Sequence, residues 1–106
     1  ITAFMKSITV EELKSRMDAG ENLVIVDVRE PNEVAEFNIG AKPIPLGRIM
    51  SLDFAEIEDI KDVELILHCR SGARSARACM MLEQAGFTNV VNLSGGMLAW
   101  QQLYGN

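Results

Sequence analysis

The chain has two cysteines and a single histidine, and this scarcity excludes whole classes of site. Cys69 and Cys79 form no CxxC motif, and with one histidine they supply no plausible set of zinc ligands. The longest aliphatic runs, such as residues 23–26, fall far short of the ~20 residues that a membrane-spanning helix needs. The sequence shows no repeats, low-complexity tracts or linkers. We therefore expect no metal site and no membrane span.

Basic charge is also scarce. With 15 acidic and 10 basic residues the net charge is −5, which disfavours nucleic acid or an acidic membrane surface as the main partner. The length of 106 residues predicts a single domain over 1–106, with a core of about 8–104. Residues 1–6 lack the apolar core of a secretory signal, so we expect a cytoplasmic location. A start without Met leaves a removed leader or a larger parent protein open.

Strand and helix signals alternate along the chain, which is typical of a parallel α/β sheet. Thr9-Val-Glu-Glu12 is a capping box that begins a helix ending near Asp18. Any strand at Ile44, between two prolines, must be short or lie at an edge. The predicted buried strands are residues 23–28, 63–69 and 90–93. The further predicted helices are residues 32–37, 75–85 and 97–103, with one or two short helical pieces within 46–60.

Cys69 lies where a predicted strand ends and a predicted helix begins. Only the thiolate of a cysteine is a good nucleophile, and the unpaired N–H groups and dipole at the start of a helix stabilise such an anion. Gly72 permits the backbone angles of an anion-binding nest, and Arg70 and Arg74 add permanent positive charge. These residues predict a reactive thiolate beside a small anion pocket.

Four segments, in this order, resemble the signatures of a rhodanese domain. They are Asp27-Val-Arg-Glu-Pro-Asn-Glu33, Gly40-Ala with Ile44-Pro-Leu46, Cys69-Arg-Ser-Gly-Ala-Arg-Ser75, and Gly86-Phe-Thr-Asn-Val-Val-Asn-Leu-Ser-Gly-Gly-Met-Leu-Ala-Trp100. The similarity runs from about Ile8 to Trp100. It implies an α/β rhodanese-like fold of three layers, with helices on both faces of a five-stranded, mainly parallel sheet. The catalytic cysteine would follow the fourth strand.

The chemistry that this resemblance implies is the transfer of a sulfane sulfur. Cys69 would attack the outer sulfur of a small anionic donor, thiosulfate or a persulfide, and hold that sulfur as a persulfide until a thiol or cyanide removes it. Two displacements of this kind give ping-pong kinetics and require no cofactor. The loop amides would stabilise the persulfide, and Arg70 and Arg74 would hold the donor. The implied substrate loop is Arg70, Ser71, Gly72, Ala73 and Arg74, supported by Asp27, Arg29 and Ser75.

Two other activities stay open beside the simple enzyme. Related phosphatases place an arginine six positions after the cysteine, whereas Arg74 lies five positions after Cys69, so phosphatase or arsenate reductase activity is disfavoured. Residues 37–41 lack a histidine and one position that many rhodanese domains have. This shortened form is similar to sulfurtransferase domains fused to adenylyltransferases, which favours a sulfur-relay module with a protein donor or acceptor as the alternative. The intact cysteine and arginines disfavour a silent regulatory domain.

Several other residues have a structural interpretation. Cys79 shares a predicted helical face with Ala76 and Met80, which favours core packing over a resolving thiol. His68 should project opposite Cys69 and have a structural role. Arg77 is interpreted as a solvated helix charge. Asp27 and Arg29 are expected to orient the loop through hydrogen bonds.

Overall fold

A parallel sheet of five strands forms the centre of the computed structural model, which describes residues 5–106. The strands are β1 (Lys6–Ile8), β2 (Val24–Asp27), β3 (Lys42–Pro43), β4 (Leu65–His68) and β5 (Val90–Leu93). They lie in the order β1-β5-β4-β2-β3, and each neighbouring pair is parallel. The expected five-stranded sheet is confirmed. Residues 1–4, most of the segment examined for a secretory signal, lie outside the described residues.

Helices connect the strands, as the alternating signals predict. The helices are α1 (Val10–Asp18), α2 (Pro31–Glu36), α3 (Leu46–Met50), α4 (Ala73–Gln84) and α5 (Gly96–Tyr104), with a 3₁₀ turn at Ala55–Ile60. The one or two short helical pieces expected within 46–60 are two, α3 and the 3₁₀ turn. Helix α4 begins two residues earlier than predicted because Gly72, with φ of 108°, already serves as its N-cap. Strand β1, which the residues alone did not reveal, has only three residues at a sheet edge.

The predicted capping box begins α1. The hydroxyl oxygen of Thr9 accepts the N–H of Glu12 at 3.1 Å, and the Glu12 carboxylate accepts the N–H of Thr9 at 3.2 Å. These reciprocal bonds satisfy two donors that the helix leaves unpaired, so the chain leaves β1 at a defined angle. Leu13, one turn further on, is fully buried and holds α1 against the sheet.

Apolar side chains leave the sheet on both faces, and helices cover each face. Leu65 and Leu67 of β4 point into one core cluster, together with Ile49 of α3 and Leu82 of α4. Ile66, between them, points into the second cluster, which includes residues of α1 and α5. A strand covered on both sides has a continuous aliphatic run, which explains the pattern at β4. The expected three layers are confirmed.

A proline lies in the edge strand β3, where no further strand of residues 5–106 needs its missing N–H. Pro43 ends β3, a strand of two residues at the edge beside β2, so the expectation of a short or edge strand near Ile44 is confirmed. Within residues 5–106, none of the helices is both long enough and apolar enough to cross a membrane.

Candidate active site

The site lies at the carboxyl ends of β2 and β4, where open α/β sheets bind their ligands. Asp27 at the end of β2 is the register partner of His68 at the end of β4, and Cys69 comes directly after His68. Residues 69–72 form the loop after β4, and residues 73–75 begin α4. The position of the cysteine after the fourth strand is as the resemblance implies.

The sulfur of Cys69 lies within a ring of hydrogen-bond donors. Its Sγ accepts the N–H of Gly72 at 3.1 Å and the N–H of Ser75 at 3.4 Å, and it shares the single proton of the Ser75 hydroxyl, also at 3.4 Å, with the side-chain carbonyl of Asn92. Burial raises the pKa of the Cys69 thiol, but the bonds from Ser75 and Gly72 outweigh burial and bring this pKa below its ordinary value. The loop therefore stabilises an anion on the sulfur.

Asn92 is a site residue that the sequence reasoning missed. Its side-chain carbonyl accepts the hydroxyl of Ser75, and its amide Nδ2 donates to the carbonyl of Gly72 at 3.2 Å. The side chain thus bridges β5 to both residues that donate to the Cys69 sulfur. A polar residue inside the otherwise apolar run Val90–Leu93 is the signal that could have identified it.

Helix α5 holds the start of the loop from the other side. The N–H of Met97 donates to the carbonyl of Cys69 at 3.0 Å, and the N–H of Leu98 donates to the carbonyl of Arg70 at 2.9 Å. A Cβ on Gly96, whose φ is +53°, would lie 2.5 Å from the Cys69 carbonyl oxygen. Gly96 therefore permits the close approach of the two backbones as well as the turn.

Arg74, which the resemblance implies would hold the donor, is bound to a carboxylate of α2. Its Nη1 and Nη2 donate to the two carboxylate oxygens of Glu33 at 2.7 and 2.9 Å. The hydrogen bonds from Arg74 lower the pKa of Glu33 to about 2. The pair forms because α2 brings a carboxylate beside the loop, and a bidentate pair is the preferred geometry of a guanidinium. Arg70, in contrast, is exposed and forms no ion pair within residues 5–106.

Asp27 and Arg29 form a buried ion pair that does not reach the loop. The Arg29 Nε and Nη2 atoms donate to the Asp27 carboxylate at 3.0 and 2.7 Å. Arg29 also donates to the carbonyl of Phe37. The expectation that these two side chains orient the loop by hydrogen bonds is wrong, since their side-chain bonds among residues 5–106 connect the end of β2 to the segment after α2. Of the remaining loop residues, Ser71 and Ala73 are exposed.

His68 is fully buried, and neither ring nitrogen has a hydrogen-bond partner among the described residues. Its Nε2 lies 3.8 Å from the nearer carboxylate oxygen of Asp27. Burial lowers the pKa of His68, so the ring is neutral at physiological pH. A neutral, fully enclosed ring agrees with the structural role expected for it.

Cys79 is fully buried in the core cluster with Ala78 and Leu82. Burial raises the pKa of its thiol to about 12, which disfavours a resolving role. Met80, at 53% exposure, lies away from this face, so the predicted face shared by Cys79 and Met80 is wrong. Arg77 is exposed on α4. Within residues 5–106 no group of three or more His, Cys, Asp and Glu side chains could hold a metal ion.

Comparisons with known proteins agree with this geometry. A sulfurtransferase from Allochromatium vinosum is 38% identical over 97 residues, which cover 91% of this chain and 88% of that protein. A probable adenylyltransferase/sulfurtransferase of Mycobacterium tuberculosis, MoeZ, is 38% identical over 96 residues, 89% of this chain but 24% of that protein. The crystal structure of a rhodanese-like domain protein from Staphylococcus aureus superposes with a TM-score of 0.78 at 37% identity, covering 91% of each chain.

The family profile that matches is the rhodanese-like domain, over residues 9–103. The match therefore includes all the strands from β2 to β5, the loop around Cys69 and the bridging Asn92. The profile, the relatives and the fold agree, and the chain belongs to the rhodanese-like domain family.

Proposed function

We propose that the chain is a sulfurtransferase that carries a sulfane sulfur as a persulfide on Cys69. The observation that carries this proposal is the Cys69 sulfur itself, which accepts hydrogen bonds from Gly72 and Ser75 at the start of α4. These donors stabilise negative charge on sulfur, both in the attacking thiolate and in the persulfide. The similarity to a sulfurtransferase over 91% of the chain supports the reaction class.

The reaction consists of two balanced displacements. The Cys69 thiolate attacks the outer sulfur of thiosulfate, the sulfur–sulfur bond of the donor breaks, and its electron pair leaves on sulfite. An acceptor thiolate or cyanide then attacks the outer sulfur of the Cys69 persulfide, and the electron pair of that bond returns to the Cys69 sulfur. Each step is a nucleophilic substitution, and the pair of steps leaves the enzyme thiolate as it began, so no cofactor is required.

Arg70 is the cation that we propose for the anionic end of the donor. It follows Cys69 directly, is exposed and forms no ion pair with the described residues. Arg74 contributes indirectly, since its guanidinium binds Glu33 and so fixes the first turn of α4 beside the sulfur. A persulfide donor would use the same cation through its carboxylate or other anionic group.

The proposed extent of the domain is about residues 8–104 within the single domain of 1–106, which the family match over 9–103 supports. We also propose a cytoplasmic location. Both cysteines are free thiols, and free thiols are favoured where the compartment keeps cysteine reduced.

A sulfur-relay module is the second candidate function. The similarity to part of the adenylyltransferase/sulfurtransferase of M. tuberculosis favours it, as does the shortened segment at residues 37–41. Leu98, 43% exposed, lies beside the loop because its N–H binds the Arg70 carbonyl, and it offers an apolar contact for a protein donor or acceptor. In this function a partner protein supplies or receives the Cys69 sulfur.

The test is the intact mass of the protein after incubation with thiosulfate, compared among wild type, Cys69→Ser and Cys79→Ser. We expect a gain of one sulfur atom in wild type and Cys79→Ser, no gain in Cys69→Ser, and loss of the added sulfur on addition of cyanide. If wild type gains no sulfur from thiosulfate but gains it from a cysteine-desulfurase-type donor, the relay function replaces the thiosulfate enzyme. No gain from either donor would contradict both proposals.

A further inference from the structure

A small cavity borders the active-site loop on the side of Arg70. It measures about 160 Å³ and is lined by Arg29, Glu33, Glu36, Phe37, Arg70 and Met97, among others. It adjoins the reactive cysteine through the backbone, because the N–H of Met97 binds the carbonyl of Cys69 at 3.0 Å. Pockets for drug-sized ligands measure about 300–1,000 Å³, so this cavity suits a molecule of amino-acid size.

Among the charged residues that line the cavity, one cation and one anion have no partner within the described part of the chain. Arg29 is neutralised by Asp27 in a buried ion pair. Glu33 is neutralised by Arg74. Arg70 and Glu36 are exposed, and neither forms an ion pair or a side-chain hydrogen bond with another residue in the range 5–106.

One free charge of each sign selects a ligand that carries both. A carboxylate would bind the guanidinium of Arg70, and an ammonium would bind the carboxylate of Glu36. Phe37 and Met97 supply apolar wall for a short carbon chain between these groups. In a ping-pong reaction Arg70 binds the anionic donor first and the acceptor carboxylate afterwards, and of the two only the acceptor carries an ammonium that Glu36 can bind.

We infer that this cavity, between Arg70 and Glu36, recognises the sulfur acceptor and that the acceptor is a small zwitterionic thiol, an α-amino acid such as cysteine. The inference rests on the proposed function of Cys69. In the transfer step the acceptor thiolate attacks the outer sulfur of the Cys69 persulfide. The sulfur–sulfur bond breaks, its electron pair returns to the Cys69 sulfur, and the acceptor leaves as an amino-acid persulfide anion.

The test isolates this second step. The full chain is first loaded with sulfane sulfur by inorganic polysulfide and desalted, and intact mass then follows the loss of one sulfur atom against thiol concentration. The thiols are cysteine, cysteamine with the ammonium alone, 3-mercaptopropionate with the carboxylate alone, and uncharged 2-mercaptoethanol. Each rate is divided by the rate of the same thiolate with polysulfide without enzyme, which removes differences in intrinsic reactivity.

We expect cysteine to half-saturate the loaded enzyme at a concentration about threefold below that of either singly charged thiol, the size of effect that an exposed ion pair supplies. Glu36→Gln should raise the half-saturating concentration of cysteine and of cysteamine by about threefold. It should leave the half-saturating concentration of 3-mercaptopropionate unchanged. Glu83→Gln, which removes an exposed carboxylate from α4, is the matched control and should change none of them.

Equal half-saturating concentrations for the four thiols would overturn the inference. So would a Glu36→Gln variant with the same half-saturating concentration of cysteine as wild type. Failure of the inference is distinguishable from failure of the proposed function, because the loading step is measured separately. If polysulfide adds no sulfur to Cys69, the proposed function is wrong. If the sulfur is added and then leaves without regard to acceptor charge, the cavity is not the acceptor site.

Discussion

Glu33 of α2 holds Arg74 of α4 through two parallel hydrogen bonds, which connect the helix after β2 to the helix that follows the reactive cysteine. The contact spans 41 positions of sequence, and both side chains are partly buried. It fixes the first turn of α4, which carries the Ser75 donors to the Cys69 sulfur. The pair therefore acts on the site through position and not by contact with the sulfur.

Replacement of Glu33 by Gln should destabilise the protein by about 1 kcal/mol at pH 7, since a partly exposed bidentate pair is worth about that much. The pKa of Glu33 is about 2 in the fold against an ordinary value of 4.5. A lowered carboxyl pKa stabilises the fold above pH 4.5, and this contribution is lost as the pH falls toward 2. Urea unfolding at about pH 7 and about pH 3 should thus show a smaller difference between wild type and variant at the lower pH.

Glu56→Gln is the matched control for that measurement. Glu56 pairs with Arg48 on the surface, and among the described residues neither side chain forms a hydrogen bond with residues 69–75. Both variants lose a carboxylate bound to an arginine, but only Glu33→Gln should slow alkylation of Cys69 by iodoacetamide. An equal rate in the two variants would contradict the role of Glu33 in fixing the loop.

Ser75→Ala tests the donors around the sulfur directly. Removal of the hydroxyl takes away one hydrogen bond to the thiolate, so the pKa of Cys69 should rise and iodoacetamide alkylation at pH 7 should slow by about three- to tenfold. The rate is measured from about pH 5 to 10, where a raised pKa moves the midpoint of the profile to higher pH. An unchanged midpoint would mean that the backbone N–H groups of Gly72 and Ser75 suffice.

Asn92→Leu tests the bridge from β5. Leucine has a similar size but does not accept from Ser75, so the Ser75 hydroxyl can donate its single proton to the Cys69 sulfur alone. The midpoint of the same pH profile should therefore shift to lower pH, opposite to Ser75→Ala, and the double variant should match Ser75→Ala because the effect of Asn92 passes through that hydroxyl. Asn32→Leu, an exposed change at the start of α2, should leave the profile unchanged.

The buried strands, the helices and the location of Cys69 follow from local sequence, because aliphatic runs, the Thr9 capping box and Gly72 each act on neighbouring residues, whereas the three residues of β1 are too few to give such a signal. The partners of Arg74 and Asn92 do not follow from local sequence, because each contact joins segments that are distant in sequence. An arginine in the loop has the same sequence signal whether it faces a substrate or a carboxylate such as Glu33. Only the packing of α2 against the loop decides between these states.

Gly96→Ala should be one of the most damaging single-methyl additions near the site. The new Cβ would lie 2.5 Å from the carbonyl oxygen of Cys69, and the backbone has φ of +53°. We expect a loss of about 2–3 kcal/mol in the free energy of unfolding, from overpacking and strain together. Gly20→Ala also has a positive φ but no atom within 4 Å, so it should cost less and report strain alone.

Gly47→Ala completes this series. Gly47 lies in α3 without a positive φ, and a methyl group added there would have no atom within 4 Å. Alanine should therefore be neutral or stabilise by up to ~1 kcal/mol through helix propensity. Urea unfolding of the three variants separates overpacking, strain and propensity. A Gly96→Ala protein as stable as Gly20→Ala would show that α5 moves away from the Cys69 carbonyl without cost.

The buried thiol of Cys79 should make the free energy of unfolding depend on pH in the alkaline range. Its pKa is about 12 in the fold against an ordinary value of 9.0, so it ionises more readily in the unfolded chain. A raised pKa of this kind stabilises the fold below pH 9.0, and the contribution is lost as the pH rises toward 12. Between these limits the stability of the wild type should fall by about 1.4 kcal/mol per pH unit from this group alone.

Cys79→Ala removes that ionisation and provides the comparison. In a Cys69→Ser background, so that a single thiol titrates, the free energy of unfolding is measured in urea at about pH 8, 9.5 and 10.5 for both proteins. The advantage of the protein that retains Cys79 should shrink steadily above about pH 9, because only its unfolded state gains a thiolate. A difference that stays constant over this range would mean that Cys79 ionises as easily in the fold as outside it, and would reopen its role as a second reactive thiol beside Cys69.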